Sequence, residues 1–167
     1  MVLERFISYL QFEKRYSPHT VSAYRSDLEQ FFAHISQSGE TLTNPSQVTY
    51  HHIRNWIVDM MEHDITARSV NRKTATLRKY FKFLLQNGEI TVNPTTRIQT
   101  PKTPKRLPVT VETEKLDQLL DGDSLERGFE GARDKLVLEL LFGTGIRLAE
   151  LVGLKYTDID TYAVTIK

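Results

Sequence analysis

Through about the first ninety residues, apolar positions recur at helical spacing and predict four helices. Leu3, Phe6, Ile7 and Leu10 mark a first helix over about Val2 to Glu13. In "YSPHTVSAYRSDLEQFFAHI", Ser17 is a natural N-cap with Pro18 at the first helical position. Val21, Tyr24, Leu28, Phe31 and Ile35 then form the stripe of a second helix. Asn44-Pro45 introduces a third, roughly Thr49 to Glu62, burying Ile53, Trp56, Ile57 and Met60. The fourth starts near Thr66 or Ser69, carries Val70, Thr74, Leu77, Phe81 and Leu84, and ends at Asn87-Gly88 as a glycine C-cap.

The periodicity then stops. "TVNPTTRIQTPKTPKRLP" holds four prolines, four basic residues and no acid, which reads as a linker. The expected organisation is a helical domain over 1–94, a mobile basic tether over 95–108 and the start of a second domain over 109–167. In that second part "VTVETEKLDQLLD" predicts a short helix and "ERGFEGARDKLVLELLFG" a longer, more buried one. A glycine turn and another helix follow. Last comes "YAVTIK", a strand by its alternation, with Tyr162 as an ordinary strand residue. A single terminal strand is unstable alone, so the chain reads as cut short within an α+β domain. The fold class expected is mainly α, a four-helix bundle followed by that partial domain.

Composition narrows the class. The chain is 167 residues long, 40% hydrophobic and 26% charged, as a globular protein is. It has no apolar run of about 18 residues that would span a membrane. Its N-terminus lacks the pattern of a signal peptide. Zero cysteines exclude a disulfide frame and fit a reducing cytoplasm. The net charge of +1 hides an asymmetry. From Ile65 to Arg106 there are ten basic residues against the single acid Glu89; from Leu107 onward, seven basic residues face twelve acidic ones. Such a local excess is an electrostatic footprint for phosphate.

Projection of "ARSVNRKTATLRKYFKFLLQ" onto a helix places Arg68, Arg72, Lys79 and Lys82 roughly opposite the apolar stripe, with Ala75, Thr76 and Gln86 among them. A solvated solubility face would mix in acids for i,i+4 pairing; this one has none. A face of Arg and Lys interleaved with short residues suits a helix lying in or across the major groove of DNA. The candidate DNA contacts are Arg68, Ser69, Arg72, Lys73, Thr76, Lys79 and Lys82, with Lys102, Lys105 and Arg106 from the linker. Phe83 points the same way but is assigned to bundle packing.

"GTGIRLAE", Gly143 to Glu150, poses a separate problem. Arg147 sits at a helix start, where a cation is mildly unfavourable. Either Glu150 offsets it as a surface pair, or the arginine is held for an anion. The histidines (His19, His34, His51, His52, His63) all lie in the helical region without a ligand-like pairing with carboxylates, so no metal site is expected.

These motifs together resemble the tyrosine recombinases, the phage-type integrases, and especially their Xer-like bacterial branch. "SPHTVSAYRSDLEQF" resembles the family's opening stretch. "SVNRKTATLRKYFKFLLQNGEITVNP" is similar to its helix with the Asn-Pro that follows. "PKTPKRLP" resembles its interdomain linker, and "RDKLVLELLFGTGIRLAELVGLKYTDID" its first box, whose core is Gly-x-Arg-x-x-Glu-Leu. The resemblance implies a SAM-like DNA-binding bundle followed by the start of a tyrosine-recombinase catalytic domain. It also implies that Arg147 is the first catalytic arginine, binding the scissile phosphate, with Glu150 bracing the loop. The intact family enzyme cuts DNA through a 3′-phosphotyrosine and rejoins it as a tetramer on two sites, with no metal and no nucleotide cofactor. The family's lysine, His-x-x-Arg box and nucleophilic tyrosine are not found here. Lys167, Tyr156 and Tyr162 are not assigned to those roles, and this chain alone is expected to bind DNA without cleaving it. Two other readings remain open: a non-catalytic DNA-binding regulator or recombinase relic, and a helical protein–protein module.

Overall fold

The computed structural model describes residues 2–40, 42–104, 118, 128–163 and 165–166. The chain separates into two compact units, Met1–Lys105 and Arg106–Lys167.

The first unit opens with α1 (Val2–Ser8), which widens into a π-turn at Tyr9–Glu13 instead of continuing as one α-helix. The Lys14 N–H reaches back to the Tyr9 carbonyl (3.0 Å), the longer-ring bond that defines such a turn. Phe6 and Tyr9 are thereby kept on the core side against Phe83. α2 (Pro18–Gln37) starts as its sequence implies, with Ser17 Oγ accepting from Thr20 N at 3.3 Å. Before α3 (Tyr50–Glu62), Asn44-Pro45 makes a short 3₁₀ turn of its own, Pro45–Gln47. Gln47 Oε1 accepts from the backbone of Thr43 and Asn44 there. The cap of α3 itself is a bond from Thr49 N to His52 Nδ1 (3.0 Å). α4 (Ala67–Gln86) is capped by Thr66, whose Oγ1 accepts from Ser69 N, and ends at Gly88 with φ +69°.

One core joins these helices. Phe6 touches the rings of Tyr9, Tyr24, Tyr80 and Phe83, and Phe31 meets Trp56 at 5.2 Å. All five residues of the expected α4 stripe are buried, and so are Thr76, Tyr80 and Phe83, so α4 is enclosed on a wider arc than its periodicity implied. Tyr24 and Ile57 are half-buried, not fully buried. Truncating a fully buried ring such as Phe6 or Phe81 to Ala would cost about 3–5 kcal/mol.

The linker does not begin where composition changes. Ile90, Thr95 and Ile98 are buried with the bundle, and the division between units falls at Lys105, not after residue 94. The first half of the expected tether is therefore a packed strap.

In the second unit, the expected helix "VTVETEKLDQLLD" lies outside the described residues except for Gln118. α5 (Phe129–Thr144) and α6 (Leu148–Gly153) flank the glycine turn. Among the described residues of this unit only Gly131 is buried. β2 (Thr165–Ile166) pairs antiparallel with β1 (Ile159–Asp160), in register Ile159↔Ile166. The partner therefore precedes it in the chain. Tyr162 lies in the turn, where Asp160 Oδ1 accepts from Tyr162 N and Ala163 N.

Candidate nucleic-acid interface

The basic face of α4 is organised around a residue that its own periodicity does not reveal. Asp27, on α2, is 1% exposed. Arg72 clasps it with two bonds, Nη1 to Oδ2 at 2.6 Å and Nη2 to Oδ1 at 2.9 Å. Lys73 Nζ donates to Oδ1 (3.1 Å) and to Gln30 Oε1 (2.6 Å), and Thr76 Oγ1 donates to Oδ2 (2.8 Å). A buried carboxylate requires this saturation, because an unpaired charge in the interior is very costly. The sequence does carry a signal. Asp27 lies three residues after Tyr24 and four before Phe31, so an acid falls on the apolar stripe of α2.

This network sorts the expected DNA contacts. Arg68 and Lys82 are exposed on α4, and the Arg72 side chain is 53% exposed. Lys73 is only 12% exposed and Thr76 is buried; both serve Asp27 and do not face outward as expected. Ser69 is half-buried and occupied with the helix cap. Lys79 leans onto the hydroxyl of Tyr16, near the ring of Tyr24. Burial there works against its charge, but the tyrosines outweigh burial and hold the ammonium above its ordinary pKa.

The strap adds a second row. Arg78 Nη2 donates to the Ile98 carbonyl (2.8 Å), and Asn71 Nδ2 to the Pro101 carbonyl (3.0 Å) and Thr103 Oγ1 (3.3 Å). Asn71 and Arg78 are about 10 Å apart along the helix, which three extended residues also span, so the strap runs antiparallel to α4. It brings exposed Lys102 toward the N-terminal half of that helix. Lys105 and Arg106 lie outside the described residues. Asn71 and Arg78, missed by sequence reasoning, are the ties; nothing in periodicity distinguishes a polar residue that binds a strap from one that binds water.

In the second unit, Gly145 closes α5 in the left-handed conformation (φ +67°), which a side chain would strain. Gly143 is an ordinary helical position at the end of α5. Arg147 is the first residue before α6. Its N–H donates to Glu150 Oε2 and its Nη1 to Glu150 Oε1, both at 3.0 Å. The backbone bond first, then the guanidinium, hold the Glu150 carboxyl below its ordinary pKa. The surface pair is thus formed, and Glu150 braces the loop as well. The Arg147 side chain is nonetheless 83% exposed, and among the described residues Nε–H and the second amino group meet no acceptor.

His34 and His63 both approach the Asp59 carboxylate, at 3.5 and 3.4 Å, and His52 Nε2 meets Glu40 Oε2 at 2.8 Å. These three meet carboxylates as ion-pair neighbours. Among the described residues no three ligating side chains gather into a metal-binding group. Nor is any described helix long and apolar enough to cross a membrane.

Residues 3–88 match the family model described as phage integrase, N-terminal SAM-like domain. A tyrosine recombinase XerC of Oceanobacillus iheyensis is 38% identical over 160 residues, covering 96% of this chain and 52% of the relative. The XerC of Haemophilus influenzae is 35% identical over 159 residues, covering 95% and 52%. The chain therefore spans about half the length of these relatives. Among solved structures, a lambda integrase dimer bound to a COC′ core site aligns with TM-score 0.67 at 20% identity, covering 96% of this chain and 52% of that one. The Tn1549 transposon integrase in complex with a circular intermediate DNA gives 0.65 at 18% identity, covering 95% and 49%. Those likenesses show a shared fold. With its capped four-helix bundle and a family match over most of that bundle, the chain belongs to the phage integrases with an N-terminal SAM-like domain.

Proposed function

We propose that this chain is the DNA-binding bundle and the start of the catalytic domain of a cytoplasmic, Xer-like tyrosine recombinase. The observation that carries the reading is the set of exposed cations on α4 and its strap, Arg68, Arg72, Lys82 and Lys102, in a segment with one acid. Phosphate contacts from such a set position a duplex without reading its sequence. In the full-length protein, a tyrosine from elsewhere in the molecule attacks the scissile phosphorus and expels the 5′-oxygen, leaving a 3′-phosphotyrosine that the 5′-hydroxyl later reverses. Arg147 supports that step by offering its open N–H donors to the non-bridging oxygens as charge builds on them. Glu150 holds the loop while the guanidinium turns from carboxylate to phosphate. The working assembly is a tetramer on two DNA sites, and no metal or nucleotide cofactor takes part, because the covalent intermediate retains the bond energy.

Fluorescence anisotropy of a labelled duplex, titrated across salt, tests the DNA-binding half. Log affinity should fall with log salt at a slope of about −0.9 per phosphate contact. Replacing Arg68, Lys82 and Lys102 with Ala should flatten the slope by about 2–3. A slope that is already flat in the wild-type chain sinks the reading. In the full-length enzyme, Arg147→Ala should abolish the covalent adduct trapped on a nicked suicide substrate. The Arg147–Glu150 pair favours one second reading, a non-catalytic DNA-binding regulator. No adduct from the wild-type full-length protein would support that second reading, whereas undiminished adduct from Arg147→Ala would leave a catalytic protein with a purely structural arginine.

A further inference from the structure

We infer that Asp27, buried and far from any catalytic role, is a positioning residue for DNA binding that acts through Arg72; the inference rests on the DNA-binding reading above. The geometry of the clasp carries it. Asp27 engages Nη1 and Nη2 together, the outer end of the guanidinium. That end-on grip leaves Nε–H and the flanking N–H of the same edge, a second planar fork suited to two phosphate oxygens. The grip comes from a carboxylate held immobile by Thr76 and Lys73 in the α2–α4 interface. The Arg72 side chain, half-exposed, therefore stands in one orientation before any DNA arrives. An unrestrained arginine would lose its rotamer freedom on binding.

Charge balance points the same way. Asp27 faces two cations, Arg72 and Lys73. Lys73, nearly buried and committed to Asp27 and Gln30, neutralises the carboxylate. Arg72 therefore keeps its full positive charge for a phosphate although it touches an acid.

The two roles predict opposite signs for Asp27→Asn. Removing an acid beside a DNA-binding face raises its positive potential, so a merely structural Asp27 yields equal or tighter binding. A positioning Asp27 yields binding weaker by about two- to tenfold, the cost of freeing one rotamer-rich side chain. The chain is titrated with a labelled duplex at fixed salt, with circular dichroism and Trp56 fluorescence to verify folding. In an Arg72→Gln background the weakening by Asp27→Asn should vanish, because its route is gone. Should Asp27→Asn not fold, Thr76→Val loosens the same carboxylate without changing charge; it too should weaken binding at least twofold, and only while Arg72 is present. Tighter or unchanged binding in the variant that folds overturns the inference, as does a weakening that persists without Arg72. If the wild-type chain binds no duplex, the DNA-binding reading falls and this inference with it; if the wild type binds and these variants match it, only this inference falls.

Discussion

Replacing Arg72 with Ala separates a surface cation from a structural one. On the helical projection this residue was simply outward-facing, and its loss should not affect folding. The structure predicts otherwise, because Arg72 supplies two of the four hydrogen bonds that keep the buried Asp27 carboxylate satisfied. Breaking a fully buried pair costs about 3–5 kcal/mol. Here Lys73 and Thr76 remain on Asp27, and the arginine is half in water, so the expected loss is smaller, about 1.5–3 kcal/mol. Trp56 is the only tryptophan in the chain and is buried against Phe31, so its fluorescence reports unfolding of the first unit specifically. With a urea slope of about 1.5 kcal/mol per molar, the midpoint should drop by about 1–2 M. Arg68→Ala, an exposed cation four residues earlier on the same helix, serves as the comparison and should stay within about 0.5 kcal/mol of wild type. An Arg72→Ala midpoint indistinguishable from that of Arg68→Ala would refute the claim that the clasp stabilises the bundle.

The strap should resist trypsin at Arg97 and Lys102 in the wild-type chain, and Asn71→Ala combined with Arg78→Ala should speed cutting there several-fold; equal rates would mean those ties hold nothing. Gly145→Ala should destabilise the α5–α6 turn by about 1 kcal/mol, through left-handed strain and not through a clash, since among the described residues nothing beyond its own chain neighbours lies within 4 Å of the added carbon. Hydrogen exchange at the first amides of α6 would register it, and unchanged protection would count against the strain. The Asp59 backbone carbonyl first, then the Asp59 carboxylate, raise the His63 pKa above 6.5. A raised folded pKa gives stability that is full below about 6.5 and lost as pH rises through the folded value. His63→Gln should remove that loss, and an NMR titration placing His63 at or below 6.5 would contradict it.

Much of the bundle was legible because its signals are local. Ser17-Pro18 caps α2, Asn87-Gly88 ends α4, and the stripe from Val70 to Leu84 is buried as its spacing implies. Capping and periodicity depend on residues within a turn or two of each other, so sequence order carries them. The glycine turn before Arg147 was legible for the same reason; Glu150 as its brace came only from the family resemblance. What the sequence left open depends on which distant segments meet. Whether Arg147 pairs with Glu150 or stands apart needed the geometry of the helix start. That Lys73 and Thr76 turn inward follows from an acid some fifty residues earlier, on a different helix. Pro101 and Thr103 belong to the bundle because Asn71 and Arg78 catch the strap, although its composition reads as a tether. The short β2 found its partner behind it in the chain, where Ile159-Asp160 is too brief to announce a strand. Helix formation is decided by near neighbours; the orientation of a charged side chain is decided by whatever charge the fold brings beside it, and no local pattern records that.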